Sequence, residues 1–517
     1  MSLVSLGYYL FLFVSLMVYY LAPHKYQWCI LLVSSLVFYY LVGTPWTFIY
    51  VLISVLVTWF VGKKIKREKL DSGSNSKKYL LIGLLTNLAI LFIIKYTNFF
   101  LSNISAISNL FTGNSTDLSV KFISSLGLSF YTLQIVGYLL DVYWGTIEPE
   151  ENIFKLGLFT CFFPQMVSGP ISRYSSLNEE LFKKHEFKLE NIEKGSLRIT
   201  VGIFKKLVIA SNFSIVADYL LDNPSEYFGL FAFGGMIAYV IDIYTDFAGC
   251  MDIVIGTAKC FDIELVENFN KPFSSTTVQE FWQRWHVTLG LWLRDYIMYP
   301  LLRSKAWLKL SKWLKKRFDK HIARKVPTHL AMFVVWFCMG LWHGGGWNYI
   351  LEGIWFWLII DLSDWLFPVF EKITHNYKDK KWWRLFRQIR TLILYAIGAI
   401  IFRSAGLIDA TKTLVNIFSP GRIINSIRVL IPTISTWLLD KVTYHDFLIA
   451  LIYGCICFVV FLFVNYVQNS DTKIKDFIYR QPLAFKTLLI VVMLYFVVVF
   501  GMYGPGCNAT EFIYGGF

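Results

Sequence analysis

Residues 27–43, with the sequence QWCILLVSSLVFYYLVG, carry no charged side chain, and runs of this kind decide the fold. Similar runs, nearly free of charge, recur at residues 46–62, 79–98, 228–241, 347–366, 446–466 and 485–502. Each comes close to the roughly 20 apolar residues with which a helix crosses about 30 Å of hydrocarbon. Only helices or closed β-barrels satisfy their backbone in that environment, and barrel strands would alternate in hydrophobicity, which these runs do not. The sequence therefore predicts an all-α, polytopic membrane helical bundle.

The composition favours the same class. Of the 517 residues, 56% are hydrophobic and only 16% are charged, whereas a soluble protein carries about 25% charged residues. Residues 2–22 are apolar, but no basic region precedes them and no cleavage site follows, so we expect a retained first span. The eight cysteines form no CxxC pair, so we expect neither a disulfide framework nor a metal site.

The net charge of +14 is concentrated in loops between the apolar runs. Basic residues cluster at 63–69, 303–325 and 372–390, while residues 99–120 contain no Lys or Arg. Because basic loops stay in the cytoplasm, this pattern predicts that the three clusters lie inside and that both termini lie outside. Anionic membrane lipids are the partners that such loops imply, and we expect no nucleic-acid partner.

The polarity of successive segments divides the chain into three parts. Residues 1–98 are predicted to form N-terminal transmembrane helices, residues 99–366 a core that holds the polar candidate residues, and residues 367–517 C-terminal helices with an outer tail. The core alternates spans with shorter segments, which we expect to be re-entrant or amphipathic because they are too short to cross. Residues at about 406–444 are predicted to form an outer loop with an interfacial helix.

His343 is the strongest candidate for a functional side chain. It ends the apolar run 328–342 and is followed by three glycines, Gly344, Gly345 and Gly346, which favour a helix end and close approach of backbone or substrate. Ionisable groups at membrane depth are costly and are functional candidates for that reason, and a neutral imidazole is the usual base for a hydroxyl proton. The alternative is a hydrogen-bonded core histidine at a helix break.

His286 and two aspartates are weaker candidates. His286 follows Trp282 and Trp285, so it is either functional or part of an aromatic, partly amphipathic helix at the membrane edge. Asp246 and Asp252 are six residues apart and do not share a helical face, so they do not form a pair of catalytic carboxylates. They are better interpreted as polar ties within the bundle.

Arg284 and Arg294 allow two interpretations. Either guanidinium could meet a phosphate, to which Arg forms strong charge-assisted hydrogen bonds. The alternative, which we favour, is that they pair with the neighbouring carboxylates of Glu280 and Asp295.

The polar motifs of the core, in their order and spacing, resemble those of the membrane-bound O-acyltransferase superfamily. These motifs are Phe130-Tyr-Thr-Leu-Gln134, Asp141-Val-Tyr143, Pro164-Gln165 with Gly169-Pro170, Tyr244 to Asp252, Glu267-Asn-Phe-Asn270, Phe281-Trp-Gln-Arg-Trp-His286, Arg294-Asp-Tyr296 and Gly340-Leu-Trp-His343. The chain length beyond His343 and the ending Glu511-Phe-Ile-Tyr-Gly-Gly-Phe517 are similar to the bacterial alginate O-acetyltransferase branch. The resemblance implies about eleven membrane-crossing helices around a central tunnel.

The resemblance also implies a reaction and roles for residues. The family's invariant histidine corresponds to His343, as the base, and its second characteristic position to His286, which would orient the donor. Further candidates for contact with substrate or the tunnel are Trp282, Arg284, Trp285, Arg294, Asp295, Asn268, Asn270, Asp246, Gln134, Gln165 and Trp342. With no bound cofactor, an acetyl group would pass from cytoplasmic acetyl-CoA, the co-substrate, to a hydroxyl of a cell-surface polysaccharide or of an outer SGNH-type acetyltransferase, in a bacterial plasma membrane.

Two alternatives remain open from the sequence. The first is D-alanyl transfer to teichoic acids from an acyl carrier protein, which the same superfamily branch includes. The second is a polysaccharide exporter that performs no acyl transfer, since polar residues of a tunnel could equally line a pore.

Overall fold

The computed structural model describes residues 2–71, 75–112, 118–123, 125–377, 380–440, 442–469 and 474–503. Within these residues the regular structure is helical, and the β pairing that the structure gives there is an isolated bridge between Phe269 and Trp285. The predicted all-α class is confirmed. The tail at 511–517, which suggests the alginate branch, lies outside the described residues.

The first part of the chain forms four helices of at least 16 residues. They are α1 (Leu6–Leu21), α2 (Gln27–Val42), α3 (Phe48–Leu70) and α4 (Ser76–Thr112). Ser5 caps α1, because its hydroxyl oxygen accepts a hydrogen bond from the backbone N–H of Tyr8 at 3.3 Å. With 37 residues, α4 is much longer than a crossing of the hydrocarbon requires.

The middle part is built largely from shorter helices. They are α5 (Leu128–Trp144), α6 (Ile153–Cys161), α7 (Phe163–Met166), α8 (Tyr174–Phe182), α9 (Leu189–Phe204), α10 (Ser211–Leu221), α11 (Leu230–Cys260), α12 (Val278–Arg284), α13 (Val287–Leu293), α14 (Tyr299–Arg303), α15 (Lys305–Arg317), α16 (Lys320–His343) and α17 (Trp347–Thr374). A π-helical segment, Lys205–Ala210, joins α9 to α10, and another, Arg294–Met298, joins α13 to α14.

The last part contains two helices, rather than one, within residues 406–444. Its helices are α18 (Lys381–Arg403), α19 (Leu407–Phe418), α20 (Pro420–Leu439), α21 (His445–Asn469), α22 (Ile474–Tyr479) and α23 (Leu483–Phe500). The segment is more helical than the expected single interfacial helix, since α19 and α20 form a helix pair bent by 55°. Pro420 stands at the start of α20, where proline is tolerated, directly after the bend. The position of this segment outside the membrane stays a prediction.

Nine helical stretches in the described residues are long and apolar enough to cross a membrane. They are His24–Val42, Pro45–Leu70, Ser76–Phe111, Leu189–Leu221, Leu230–Cys260, Lys320–His343, Trp347–Tyr377, Lys381–Arg403 and Leu483–Phe500. The bent pair α19–α20 would be a tenth, and α1 and the start of α21 are shorter apolar helices. The predicted polytopic membrane bundle is confirmed.

The centre of the bundle is formed by α9 and α11, whose backbones approach closely at paired glycines. A Cβ added to Gly202 of α9 would lie 2.6 Å from the carbonyl oxygen of Gly249, and one added to Gly256 of α11 would lie 2.8 Å from that of Gly195. Small residues permit such contact between helices in membranes. The tight packing fixes α11, which contributes ring contacts to the candidate site.

Candidate active site

The candidate site forms where α16 and α17 meet as neighbouring antiparallel helices. The two backbones are in contact: a Cβ on Gly340 would lie 2.4 Å from the carbonyl oxygen of Tyr349, and one on Gly353 would lie 2.4 Å from that of Trp336. The last residue of α16 is His343, as the glycine run predicts. Close approach of these helices brings His343 beside the second turn of α17.

His343 is paired with a carboxylate that the sequence analysis did not single out. Its Nδ1 atom lies 3.0 Å from Oε2 of Glu352, and the exposed fractions of the two side chains are 2% and 7%. An ionised carboxylate only accepts hydrogen bonds, so this contact favours the tautomer with the proton on Nδ1 and leaves Nε2 as the basic atom of the ring. The arrangement suits an imidazole that removes a proton from a hydroxyl.

Residues of α4 contact the chain on both sides of His343. Lys95, within the apolar stretch of α4, donates from Nζ to the carbonyl oxygen of Trp342 at 2.5 Å and to Oγ of Ser129 at 3.1 Å. A Cβ on Gly345 would lie 3.0 Å from the carbonyl oxygen of Lys95. Lys95 thus links α4, the first turn of α5 and the residue that precedes His343.

His286 lies in a break between two helices, which disagrees with the alternative that it sits within an aromatic helix. The chain leaves α12 after Arg284, and His286 adopts the left-handed conformation with φ of 47° before α13 begins. Its exposed fraction is 2%, so it does not lie on the exposed face of an amphipathic helix. His286 is outside the candidate spans, and burial, followed by the proximity of His343, lowers its pKa well below the ordinary value.

Asn268 stabilises this break. Its side-chain oxygen accepts hydrogen bonds from the backbone N–H of Thr288 at 3.1 Å and from the Thr288 hydroxyl at 2.9 Å, and it lies 3.2 Å from Nδ1 of His286. Its backbone oxygen accepts from Val287 N at 3.0 Å. These contacts offset the cost of a non-glycine residue with positive φ, about 1 kcal/mol.

Trp342 connects the two histidines. Its ring centroid lies 5.5 Å from that of His286 and 5.5 Å from that of His343, and Phe130 packs edge-on against it at 5.3 Å. Gln134 is buried one helical turn beyond Phe130 on α5. The structure therefore brings His343, His286, Asn268 and Trp342, four of the predicted site residues, into one buried cluster.

Two tryptophans among the predicted site residues pack against the helices that form this cluster. Trp282 packs against Trp336 and Phe356, with ring centroids 5.1 and 4.8 Å apart, and so contacts both α16 and α17. Trp285 is buried between Phe281 and Tyr395, at 5.5 and 5.2 Å. These rings fill the space between helices, and Nε1 of Trp282 is buried there without a hydrogen-bond partner among the described residues.

The predicted arginines form ion pairs, as favoured from the sequence. Arg284 lies 2.8 Å from Glu280, and Arg294 lies 2.8 Å from Asp295, which also pairs with Arg173. The two arginines and Asp295 are partly exposed and do not join the His343 cluster in any contact of the described residues.

The remaining predicted residues lie apart from the cluster. Asp246 pairs with Lys206 at 2.5 Å, and both side chains are buried between α11 and the π-helical segment, as expected for a polar tie. Asn270 is exposed. Gln165 is buried beside the Pro164 turn and accepts from the Ser172 hydroxyl at 3.0 Å.

Sequence reasoning missed Glu352 and Lys95, although a signal for both was present. Each is an ionisable residue inside a largely apolar run, at 347–366 and 79–98, and the rule that singled out His343 applies equally to them. The described residues contain no group of three or more His, Cys, Asp or Glu side chains that could hold a metal ion.

Comparison with known proteins identifies the family. The family model of the membrane-bound O-acyltransferases matches residues 151–403, which include His286, His343 and Glu352. A probable alginate O-acetylase of Pseudomonas putida is 30% identical over 417 residues, which cover 80% of this chain and 79% of that protein. The chain belongs to the membrane-bound O-acyltransferase family. It is therefore a multi-pass membrane enzyme that transfers acyl groups to hydroxyls. This result disagrees with the alternative of a polysaccharide exporter that performs no acyl transfer.

Other relatives in the membrane-bound O-acyltransferase family are named for different activities. A peptidoglycan O-acetyltransferase of Helicobacter pylori is 30% identical over 322 residues, covering 57% of this chain and 56% of that protein. A teichoic acid D-alanyltransferase of Bacillus subtilis is 28% identical over 292 residues, covering 54% of this chain and 69% of that protein.

Proposed function

We propose that this membrane-bound O-acyltransferase moves an acetyl group from acetyl-CoA on the cytoplasmic side of a bacterial plasma membrane to a cell-surface hydroxyl on the outer side. The acceptor hydroxyl belongs to a polysaccharide, directly or through an outer SGNH-type acetyltransferase. The observation that carries this proposal is the buried contact of His343 Nδ1 with Glu352 Oε2 at 3.0 Å. A buried imidazole with an oriented tautomer can act as a general base.

The proposed chemistry carries one proton from the acceptor hydroxyl, by way of His343, to the leaving thiolate. Nε2 of His343 takes the proton of the acceptor hydroxyl while the hydroxyl oxygen bonds to the thioester carbonyl carbon. The carbon–sulfur bond then breaks, and the thiolate of coenzyme A leaves and takes up the proton that His343 holds. A thioester is already activated, so the enzyme contributes mainly alignment and proton removal. Glu352 keeps the ring of His343 oriented and stabilises its protonated form.

His286 is proposed to align the donor. Its ring is separated from His343 by Trp342, with centroids 5.5 Å apart at each step. This spacing supports a site in which a thioester lies along Trp342 between the two histidines. The proposal includes passage of the acyl group through the expected central tunnel.

The proposed orientation follows from the basic loops. α16 begins at Lys320, within the basic cluster 303–325, and ends at His343, so His343 lies toward the opposite membrane face. Since basic loops stay in the cytoplasm, the acceptor would reach His343 from outside. Both termini are proposed to lie outside by the same rule.

An acetyl group and a polysaccharide acceptor are supported by the relatives named for alginate and peptidoglycan O-acetylation. D-alanyl transfer from an acyl carrier protein is the second candidate, because the Bacillus subtilis relative carries that name. Membrane vesicles containing the enzyme and the cell's surface polymer separate the two. Radiolabelled acetyl-CoA labels the acceptor under the first proposal, whereas label from a D-alanyl carrier protein alone would favour the second.

A further inference from the structure

The end of α16, which carries His343, is not closed by the turn that commonly ends a helix. Gly344 is extended, with φ of 178° and ψ of 165°, so the left-handed conformation that returns backbone N–H groups to the last carbonyl oxygens does not occur there. The last carbonyl oxygens of a helix have no partner within it. In an apolar environment each of these oxygens needs a partner from another segment of the protein.

Two consecutive residues of α4 supply such partners. Tyr96 donates from its hydroxyl to the carbonyl oxygen of Leu341 at 2.6 Å, and Lys95 donates from Nζ to that of Trp342 at 2.5 Å. The Lys95 ammonium also lies 5.7 Å from the centroid of the Trp342 ring, within the range of a cation–π contact. Lys95 therefore binds both the backbone and the ring of the residue that precedes His343.

The same face of α4 binds the chain that follows His343. Phe99 and Asn103 come four and eight residues after Lys95, a spacing that places the three side chains on one side of the helix. The ring of Phe99 packs against that of Trp347 with centroids 5.6 Å apart, and Trp347 donates from Nε1 to the side-chain oxygen of Asn103 at 2.9 Å. One face of α4 thus contacts the chain before and after His343.

Lys95 contributes a positive charge to this face. It lies in the apolar stretch of α4, where a charged group is costly. No ion pair of the described residues involves Lys95, and its second hydrogen bond goes to Oγ of Ser129 at 3.1 Å. The partial negative charge at the C-terminal end of α16 complements the ammonium. A charged donor at this position therefore holds the carbonyl of Trp342 more strongly than a neutral donor would.

We propose that Lys95 is a positioning residue for the acyl-transfer reaction: its ammonium fixes the last turn of α16 and so keeps the ring of His343 in contact with Glu352. The inference rests on the proposed function, because it takes His343 to be the base. Lys95 precedes the segment 151–403 that the family model matches, so that match does not assign it to the site. A displacement of the base by about 1 Å would lower the rate by about 10²-fold.

The first measurement is hydrogen exchange by mass spectrometry on the full-length protein in nanodiscs, which needs no substrate. Lys95→Met removes the ammonium and keeps a flexible side chain. We expect backbone N–H groups at residues 339–347 to exchange faster than in wild type, because the end of α16 opens more often. Asn87→Leu is the matched control and should not change this exchange. Asn87 is buried in α4 and donates to the hydroxyl of Thr58, so it connects α4 to α3.

The second measurement is acetyl transfer in vesicles, with kcat and the KM for acetyl-CoA determined separately. We expect Lys95→Met to lower kcat by about 10–100-fold with little change in KM, because the donor still binds while the base is misplaced. Lys95→Arg should recover much of this loss, since a guanidinium can donate to both oxygens and keeps the charge. Lys95→Gln donates without a charge and should recover less. Asn87→Leu should keep kcat near that of wild type even if it unfolds at a lower temperature.

Four results would overturn the inference. They are unchanged exchange at residues 339–347 in Lys95→Met, faster exchange there with wild-type kcat, an equal loss of kcat in Asn87→Leu, or wild-type kcat in Lys95→Gln. The Lys95→Gln variant undergoes both measurements, so the test stands if Lys95→Met does not fold. A wild-type protein that transfers no acetyl group would contradict the proposed function instead, and hydrogen exchange would still decide whether Lys95 fixes the end of α16.

Discussion

Nδ1 of His343 lies 3.0 Å from Oε2 of Glu352, in a contact between the end of α16 and the second turn of α17. Both side chains are almost completely removed from solvent. In such surroundings a carboxylate fixes the tautomer of an imidazole and stabilises the protonated ring more strongly than in water. Glu352 is therefore a positioning residue for His343, the proposed base.

Glu352→Gln should lower kcat by about 10²–10⁴-fold, because an amide can present its N–H to Nδ1 and favour the wrong tautomer. Glu352→Asp should retain part of the activity, since it keeps the charge at a longer distance. Acetyl transfer in vesicles measures both, and Glu371→Gln, at an exposed position of the same helix, is the control. Full activity of folded Glu352→Gln would remove Glu352 from the mechanism.

His286 can be tested for a role beyond its backbone position. Its φ of 47° suits glycine better than alanine, so His286→Gly should be more stable than His286→Ala by about 1 kcal/mol. If the imidazole aligns the donor, both variants should lose activity to a similar extent despite this difference. Thermal unfolding and acetyl transfer are measured in parallel. Activity that follows stability, with the glycine variant near wild type, would show that only the backbone matters.

The close approach of α16 and α17 should be essential for the His343–Glu352 contact. Gly353→Ala places a methyl group 2.4 Å from the carbonyl oxygen of Trp336, which the helices can relieve only by separating. We expect a loss of activity of about tenfold or more, with destabilisation of about 1–3 kcal/mol. Gly157→Ala is the matched control, since nothing lies within 4 Å of its added Cβ. Equal behaviour of the two variants would contradict the packing argument.

Asp246 is expected to stabilise the fold rather than to contact substrate. Asp246→Asn removes the negative charge that faces Lys206 in a buried pair, which typically costs about 3–5 kcal/mol. The variant should unfold at a lower temperature, and Lys206→Met combined with Asp246→Asn should recover much of the stability. A stable Asp246→Asn protein that fails only in acyl transfer would instead show that Asp246 takes part in the active site.

Much of the fold is visible in the sequence because long apolar runs have few alternatives in a membrane. The end of α16 at His343 was predictable from the three glycines that follow, and the pairing of Arg284 with Glu280 from their spacing of four residues. In contrast, one interfacial helix was expected in an outer loop at residues 406–444, whereas the segment forms the two bent helices α19 and α20, since Pro420 is compatible with a loop and with a helix start.

The candidate site was predictable only in part, because its geometry depends on distant segments. Nothing local to His286 indicates a positive φ, which is supported by hydrogen bonds that Thr288 donates to the side-chain oxygen of Asn268, a residue in another segment of the chain. Glu352 lies in an apolar run, and its partner became evident only once α16 and α17 were packed together. The division into parts ending at residues 98 and 366 stays a prediction.

The central claim is that His343 is the base of an acetyl transfer to a surface hydroxyl. The most direct measurement compares wild type with His343→Gln in membrane vesicles that carry the surface polymer and receive radiolabelled acetyl-CoA. We expect the variant to be folded and abundant in the membrane but to transfer label to the acceptor at a rate lower by about 10²-fold or more. Transfer by His343→Gln at the wild-type rate would contradict the account.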